Sequence, residues 1–189
     1  KDVEKGSVIE DNLQEVHTAG KRAKDLVAQI LAFARQSDKQ IQPVKVDKIL
    51  EEVLQFIRSS IPATIEIRKT IESDSPIWGN QTQVYQVIMN ICTNAAHAMD
   101  ESGGVLEVRL EDTEVDRFLG KKLDLKPDRY IRMSIADTGI GIPSDIINSI
   151  FEPYFTTKGP GEGTGMGLAM VHGIVESYGG KIFVDSSLG

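Results

Sequence analysis

Residues 80–99 read NQTQVYQVIMNICTNAAHAM, and how this run repeats decides what the chain can fold into. Val84, Val87, Ile88, Ile91, Ala95 and Ala98 recur at helical steps, which predicts an amphipathic helix from Asn80 to Met99. Upstream, Thr64 to Ile71 alternates, with Ile65, Ile67 and Ile71 on one side and Glu66, Arg68 and Thr70 on the other. That is the pattern of a half-buried strand. Downstream, a Gly103-Gly104 turn precedes two strand-like runs, Val105 to Val115 and Tyr130 to Ala136, separated by a Lys-rich loop with Pro127. Strands and helices therefore alternate imperfectly. The pattern predicts an α+β fold, a two-layer sandwich of a mixed sheet with helices on one face, rather than a doubly wound parallel sheet.

The flanking segments extend this picture. Ser37 to Val46, with Pro43, reads as a short polar connection, and Asp47 as the N-cap of a helix running to about Ser59. Ile49, Val53, Phe56 and Ile57 share one face of that helix, and Pro62 closes it. Ile77-Trp78-Gly79 reads as a short strand or turn, with Trp78 as a packing residue. A helix is expected from about Met166 to Tyr178, ended by Gly179-Gly180, with a further strand over Lys181 to Asp185. At the other end, Ile9, Leu13, Val16, Gly20, Ala23, Val27, Ile30 and Ala34 form a heptad seam on a long amphipathic helix. Such a stripe needs cover, from a partner helix or from the chain's own domain, and pairing is the favoured reading. The expected division is 1–42 and 43–189.

With 189 residues, 40% of them hydrophobic, the chain has enough material for one core plus an appendage. Its 21 basic against 28 acidic residues leave a net charge of −7, which argues against non-specific nucleic-acid or anionic-membrane binding. An anionic ligand would need a local positive pocket. The single cysteine, Cys92, can make no internal disulfide, which fits a reducing compartment, and no apolar run reaches the length of a membrane span. A cytoplasmic location is expected, with the full-length protein free to be membrane-anchored. The chain opens without Met and closes at Gly189 just after a strand-like run, so it is expected to be part of a longer protein.

Three clusters carry chemistry. Asn90, Asn94 and His97 stand four and three apart on one helical face. Amide oxygens can ligate a hard cation such as Mg²⁺, and His97 could donate to a phosphate; the alternative is a plain polar outer face. Asp137-Thr138-Gly139-Ile140-Gly141-Ile142-Pro143 directly follows an apolar strand. There an Asp can aim its carboxylate into a cleft, and if buried it would suit an exocyclic amine such as adenine N6, while the glycines allow close approach. The alternative is a simple turn leading into a helix after Pro143. Gly161-Glu-Gly163-Thr164-Gly165-Met166-Gly167-Leu168 opens a helix, where free N–H groups and the positive dipole end favour phosphate. It is neither a Walker loop nor a Rossmann fingerprint, and alone it could be a flexible surface loop.

Together these motifs resemble the sensor histidine kinases of two-component signalling, within the wider group that shares the gyrase and heat-shock-chaperone type of ATP site. The matching stretches are an N box at Asn90 to Asn94, a first glycine box at Asp137 to Gly141, an F box at Phe151-Glu-Pro-Tyr-Phe155-Thr-Thr-Lys158, and a second glycine box at Gly163 to Gly167. The resemblance covers about residues 45 to 189. It extends less specifically to Arg22 through Arg35, which looks like the second helix of the family's dimerisation hairpin.

The resemblance implies an ATP·Mg²⁺ site. Asn94 would ligate the metal with Asn90 beside it, His97 would contact phosphate, and Asp137 would accept from adenine N6 between Gly139 and Gly141. Phe151 to Gly165 would form the ATP lid, with Lys158 its cation; Asn90 and Lys158 take the catalytic roles. Thr157, Gly163, Thr164, Gly165, Met166, Gly167 and Leu168 complete the implied nucleotide contacts. Implied partners are a second copy through the N-terminal helix, a phosphoacceptor hairpin helix and the receiver domain of a response regulator.

Two departures qualify the match. No box of His followed by an acidic residue is present, since His17 is followed by Thr18-Ala19, and both His17 and His172 read as structural or surface residues. The family also continues past Ser187-Leu188-Gly189 into a final strand. The implied enzyme is a protein-histidine kinase that, as this chain alone, does not phosphorylate itself. Competing readings are an ATPase or ATP-driven clamp, a nucleotide-switched dimer scaffold, and a related serine kinase. Position 90 discriminates against the first, because Asn90 stands where those ATPases carry a Glu and cannot serve as general base on water.

Overall fold

The computed structural model describes residues 7, 9, 12, 13, 16, 20, 41–99, 102–157 and 163–188. The chain divides into two compact units, Lys1–Lys39 and Gln40–Gly189. In the first, Ile9, Asn12, Leu13, Val16 and Gly20 are helical, and Ile9, Leu13 and Val16 are exposed. The rest of the heptad seam, and His17, lie outside the described residues.

The second unit begins with strand β1 (Gln42–Lys45), which runs directly into helix α1 (Val46–Ser60). The expected polar connection is thus partly a strand, because β1 pairs antiparallel with β3 (Pro76–Gly79), a partner more than thirty residues away that no local pattern reveals. Val44 opposite Ile77 faces the core, whereas Pro43 opposite Trp78 faces out. Trp78 is 71% exposed and does not pack as expected. Asp47 is not the cap either. Lys45 occupies that position without a side-chain bond, its ammonium paired with Asp74 at 3.5 Å. Asp47 sits in the first turn, where a negative charge suits the helix dipole. At the other end of α1, Arg58 donates to the carbonyls of Ile61, Pro62 and Ile65, satisfying groups the helix and the following turn leave open.

Strands β2 (Ile65–Ile71), β4 (Gly104–Val115) and β5 (Asp128–Asp137) form a sheet in the order β2-β4-β5. β2 and β4 are parallel, β4 and β5 antiparallel, so the sheet is mixed as expected. The registers place Ile67 beside Leu106, Ile71 beside Leu110, Leu110 beside Met133 and Val108 beside Ile135. That apolar row is covered by α1 and by helix α2 (Gln81–Ala98), through Leu50, Val53, Ile57, Ile88, Cys92 and Met99. The other sheet face carries exposed charge pairs, Glu66 with Arg68 and Glu107 with Arg109, so helices cover one face only. A second cluster joins Val87 of α2 to Val171 and Ile174 of helix α4 (Gly167–Ser177), with Met133 of β5 against it.

Two further readings change. The Lys-rich loop holds a short helix, α3 (Arg117–Leu123), capped by the Asp116 carboxylate, which accepts from Leu119 N at 2.7 Å. Residues 181–185 form no strand, since among the described residues no ladder partner meets them; Phe183 is exposed and Ile182 packs on the α2–α4 cluster. Turns rather than a helix follow Pro143. Among the described residues no helix is long and apolar enough to cross a membrane.

Leu50, fully buried, tests the core. Leu50→Ala should cost about 2–5 kcal/mol in urea unfolding, from lost transfer energy plus a cavity. Phe118→Ala on α3, where Phe118 is 82% exposed, should change stability by less than about 0.5 kcal/mol. Equal effects would contradict this core assignment.

Candidate functional site

Helix α2 is the common wall of the site. Its start is fixed by Asn80, whose side chain accepts from Gln83 N at 3.1 Å and whose own N–H donates to the Tyr178 hydroxyl at 2.9 Å. The C-terminal end of α4 is thereby tied to the N-terminal end of α2. With Val84, Ile88, Cys92 and Ala95 committed to the core, Asn94 and His97 are left exposed on the opposite side and Asn90 half-buried between. Burial also pushes the Cys92 thiol up to about 12, so it is an inert packing group.

Strand β5 brings Asp137 to this wall. The register pairs Asp137 with Leu106, which puts it in a helix-facing row at the point where the strand ends. The next residues turn tightly. Gly139 N donates to the Asp137 carboxylate at 2.9 Å, and Thr138 exchanges hydrogen bonds with Val105 at the start of β4. Ile140 N donates to the Ala98 carbonyl at the end of α2, 3.2 Å away. Gly139 is required here, because a Cβ would fall 2.6 Å from the Ala98 Cβ. Asp137 itself is exposed, not buried as the amine-binding argument supposed. Its carboxylate is nonetheless fixed by the Gly139 N–H.

The second glycine-rich stretch closes the third side. Helix α4 begins at Gly167, and its cap Met166 makes no side-chain cap bond, so the first N–H groups are not met by a cap. A Cβ on Gly167 would lie 3.5 Å from the Asn90 side-chain oxygen, so the start of α4 and the middle of α2 are neighbours. Gly165 has φ +65 and its carbonyl accepts from Tyr154 N at 2.9 Å, which joins this stretch to Phe151–Thr157. Gly163, Thr164 and Thr157 are exposed, and Leu168 is half-buried in the first turn of α4. Asn90, Asn94 and His97 of α2, the Asp137–Gly139 turn and the start of α4 thus meet around one helix, whereas Gly141, at φ +72, backs onto Ser187 and Leu188 near the end of the chain. Lys158 lies outside the described residues. Sequence reasoning missed Thr138, which anchors the turn through β4, and Tyr178, whose position two residues before Gly180 carries no local signal of its bond to Asn80.

A Mg²⁺ ion fits the donors present in kind. Among the described residues no group of three or more His, Cys, Asp or Glu is assembled for a metal, whereas Asn90 and Asn94, one turn apart on α2, offer amide oxygens as hard donors, Asn90 beside the start of α4. Mg²⁺ commonly takes few protein ligands and completes its shell with water and phosphate oxygens.

The fold is like that of the ATP-binding catalytic domain of histidine kinases. Residues 79–189 match the family described as "Histidine kinase-, DNA gyrase B-, and HSP90-like ATPase", and the chain belongs to that family. It is 34% identical over 182 residues to the sensor kinase CckA of Brucella abortus, covering 94% of this chain and 19% of that protein. It is 33% identical over 162 residues to the sensory histidine kinase/phosphatase NtrB of Azospirillum brasilense, covering 85% of this chain and 40% of NtrB. The chain therefore spans well under half the length of these curated relatives. Among solved structures, the mycobacterial sensor histidine kinase MprB superposes with a TM-score of 0.57 at 26% identity, over 74% of this chain and 80% of that one. Full-length ShkA, solved in complex with AMPPNP, gives 0.65 at 24% identity, over 99% of this chain and 38% of that one. ThkA in complex with the response regulator protein TrrA gives 0.60 at 20%, over 94% and 47%.

The buried thiol gives a direct test. Its pKa lies above the ordinary 9.0, so the unfolded chain loses that proton first, and this group weakens the fold as pH rises from about 9 to 12 and not below. At pH 8 Cys92 should resist a thiol-reactive dye in native protein and label fully in urea. Rapid native labelling would contradict its burial.

Proposed function

We propose that this chain is the catalytic part of a sensor histidine kinase, which transfers the γ-phosphate of ATP to a histidine on a dimerisation hairpin for relay to a response regulator. One observation carries the reading: α2 presents Asn90 to the start of α4 while Ala98, two turns on, receives the Asp137–Gly139 turn. Base, metal and phosphate recognition are thus held by one rigid element, as phosphoryl transfer by positioning requires.

In this reading Asp137 accepts from adenine N6, with Gly139 and Gly141 keeping the approach open. Asn94 holds Mg²⁺, with Asn90 beside it and His97 toward the phosphates. Thr157, Gly163 to Leu168 and the α4 dipole cradle the phosphate chain, with Lys158 as cation. Bound Mg²⁺ would supply charge neutralisation on the phosphates. An Asn at position 90 leaves water without a base, which favours transfer over hydrolysis. Residues 1–42 are assigned as the second helix and linker of the hairpin and 43–189 as the catalytic domain, working as a homodimer in the cytoplasm. The phosphoacceptor histidine lies on a helix other than these. Support for the ligand comes from ShkA, whose like fold holds AMPPNP, and support for the regulator partner from the ThkA–TrrA complex.

Two measurements test this. In isothermal titration with Mg²⁺·ADP, Asp137→Asn should weaken binding at least about tenfold, the loss of one charge-assisted hydrogen bond, with the melting temperature retained. Unchanged affinity would remove the adenine assignment. With γ-labelled ATP, the chain alone should stay unlabelled and should pass acid-labile phosphate to an added hairpin carrying the missing histidine. Rapid phosphate release with no labelled protein would favour the ATPase reading instead.

A further inference from the structure

The stretch that follows β5 returns to the region of α4 at two places, one just before the helix and one on it. The first is the backbone bond from Tyr154 N to the Gly165 carbonyl, 2.9 Å long. The second is a ring contact, in which Phe151 lies 5.3 Å from His172, centroid to centroid, with the planes tilted by 40°. His172 stands in the second turn of α4, five residues past the Gly167 start, and its Nδ1 lies 3.6 Å from the Glu176 carboxylate one turn on. The imidazole thus lies between a carboxylate on its own helix and an aromatic ring on the facing segment.

Neighbouring packing makes this contact matter. Phe151 follows the buried Ile150, and the segment from it is braced by Ser149 Oγ donating to Glu152 at 3.2 Å and by Phe155 N donating to the Glu152 carbonyl at 3.2 Å. Val171 and Ile174, on either side of His172 in the helix, are buried against Val87 of α2. The contact therefore connects a well-packed helix to a segment that has few buried groups of its own: Glu152, Pro153, Tyr154, Thr156 and Thr157 are all exposed.

We infer that His172 is a positioning residue, whose ring holds Phe151 against α4 and so sets the Phe151–Thr157 segment at the distance from the α4 start that phosphate binding needs. This rests on the nucleotide reading above and adds a residue to it. The ring is what the role demands, because a tilted aromatic pair gives a directional contact that an aliphatic or amide side chain does not. The Glu176 carboxylate lies near the imidazole, one turn away on the same helix face, at 3.6 Å. Adenine recognition, at Asp137 and Gly139 on the far end of α2, does not pass through this contact. The residue therefore acts on phosphate-bearing ligands and not on the base.

The test is a set of affinities on the full chain, with Mg²⁺·ADP and with adenosine, each by competition against a fluorescent adenine nucleotide. His172→Ala should weaken ADP about fivefold to tenfold, the worth of an aromatic pair, while adenosine changes less than about twofold. His172→Phe, which restores the ring, should recover ADP to within about twofold of the wild type, and His172→Gln, which keeps a polar partner for Glu176 without a ring, should behave like Ala. Equal loss for both ligands, a His172→Gln variant that binds as the wild type does, or no loss in His172→Ala would each overturn the positioning role while leaving the nucleotide site standing. A wild-type chain that binds neither ADP nor adenosine would overturn the nucleotide reading, and this inference with it.

Discussion

Helix α2 is packed on two sides at once. One stripe, Val84, Ile88, Cys92 and Ala95, is buried on the sheet and against α1; a second, through Val87, meets Val171 and Ile174 of α4. An 18-residue helix so held cannot rotate without exposing core, and that fixes Asn90, Asn94 and His97 on the side that remains. The site is therefore a consequence of what the helix must bury. Fully buried Cys92, with its thiol pushed up to about 12, sits two residues from exposed Asn94 and marks how sharp the division between the two faces is.

Everything else in the site is referred to that helix. The turn after β5 is fastened to its end by the Ile140–Ala98 bond and can approach only because residue 139 has no side chain. The start of α4 is set beside Asn90 because α4 packs on α2 along its length and its other end is tied to Asn80 through Tyr178. Three sequence segments far apart in the chain are thus brought to one place by packing and a few directional bonds. In the function proposed for this frame, Asn90 in place of a carboxylate is what favours phosphoryl transfer over hydrolysis, since an amide cannot serve as base on water.

How much of this could be read from the residues depended on the range of the interaction. The periodicities of Asn80–Met99 and Thr64–Ile71 are local, and the helix and strand followed from them to within a residue or two. β1 depends on β3 across more than thirty residues, so Pro43 and Val44 looked like linker, and Trp78, on the outer side of that ribbon, looked like core. α3 was hidden because its half-buried Leu119 and Leu123 are outnumbered by charge, although Asp116 three residues before Leu119 was a usable cap signal. Residues 181–185 have strand-like composition, but composition does not supply a ladder. The site motifs were legible because each is short and contiguous; what ties them together, Thr138 to Val105 and Phe151 to His172, joins residues whose meeting is set by the fold alone.

The central claim is that the three clusters around α2 form one adenine-nucleotide site. Titrating ¹⁵N-labelled chain with Mg²⁺·ADP and following each backbone amide tests it most directly. The account predicts saturable shifts, sharing a single dissociation constant, at Asn90, Asn94, Asp137 to Gly141 and Gly163 to Leu168, with β2 and the outer sheet face unmoved. Shifts at only one of those segments, different constants among them, or changes centred away from α2 would contradict it.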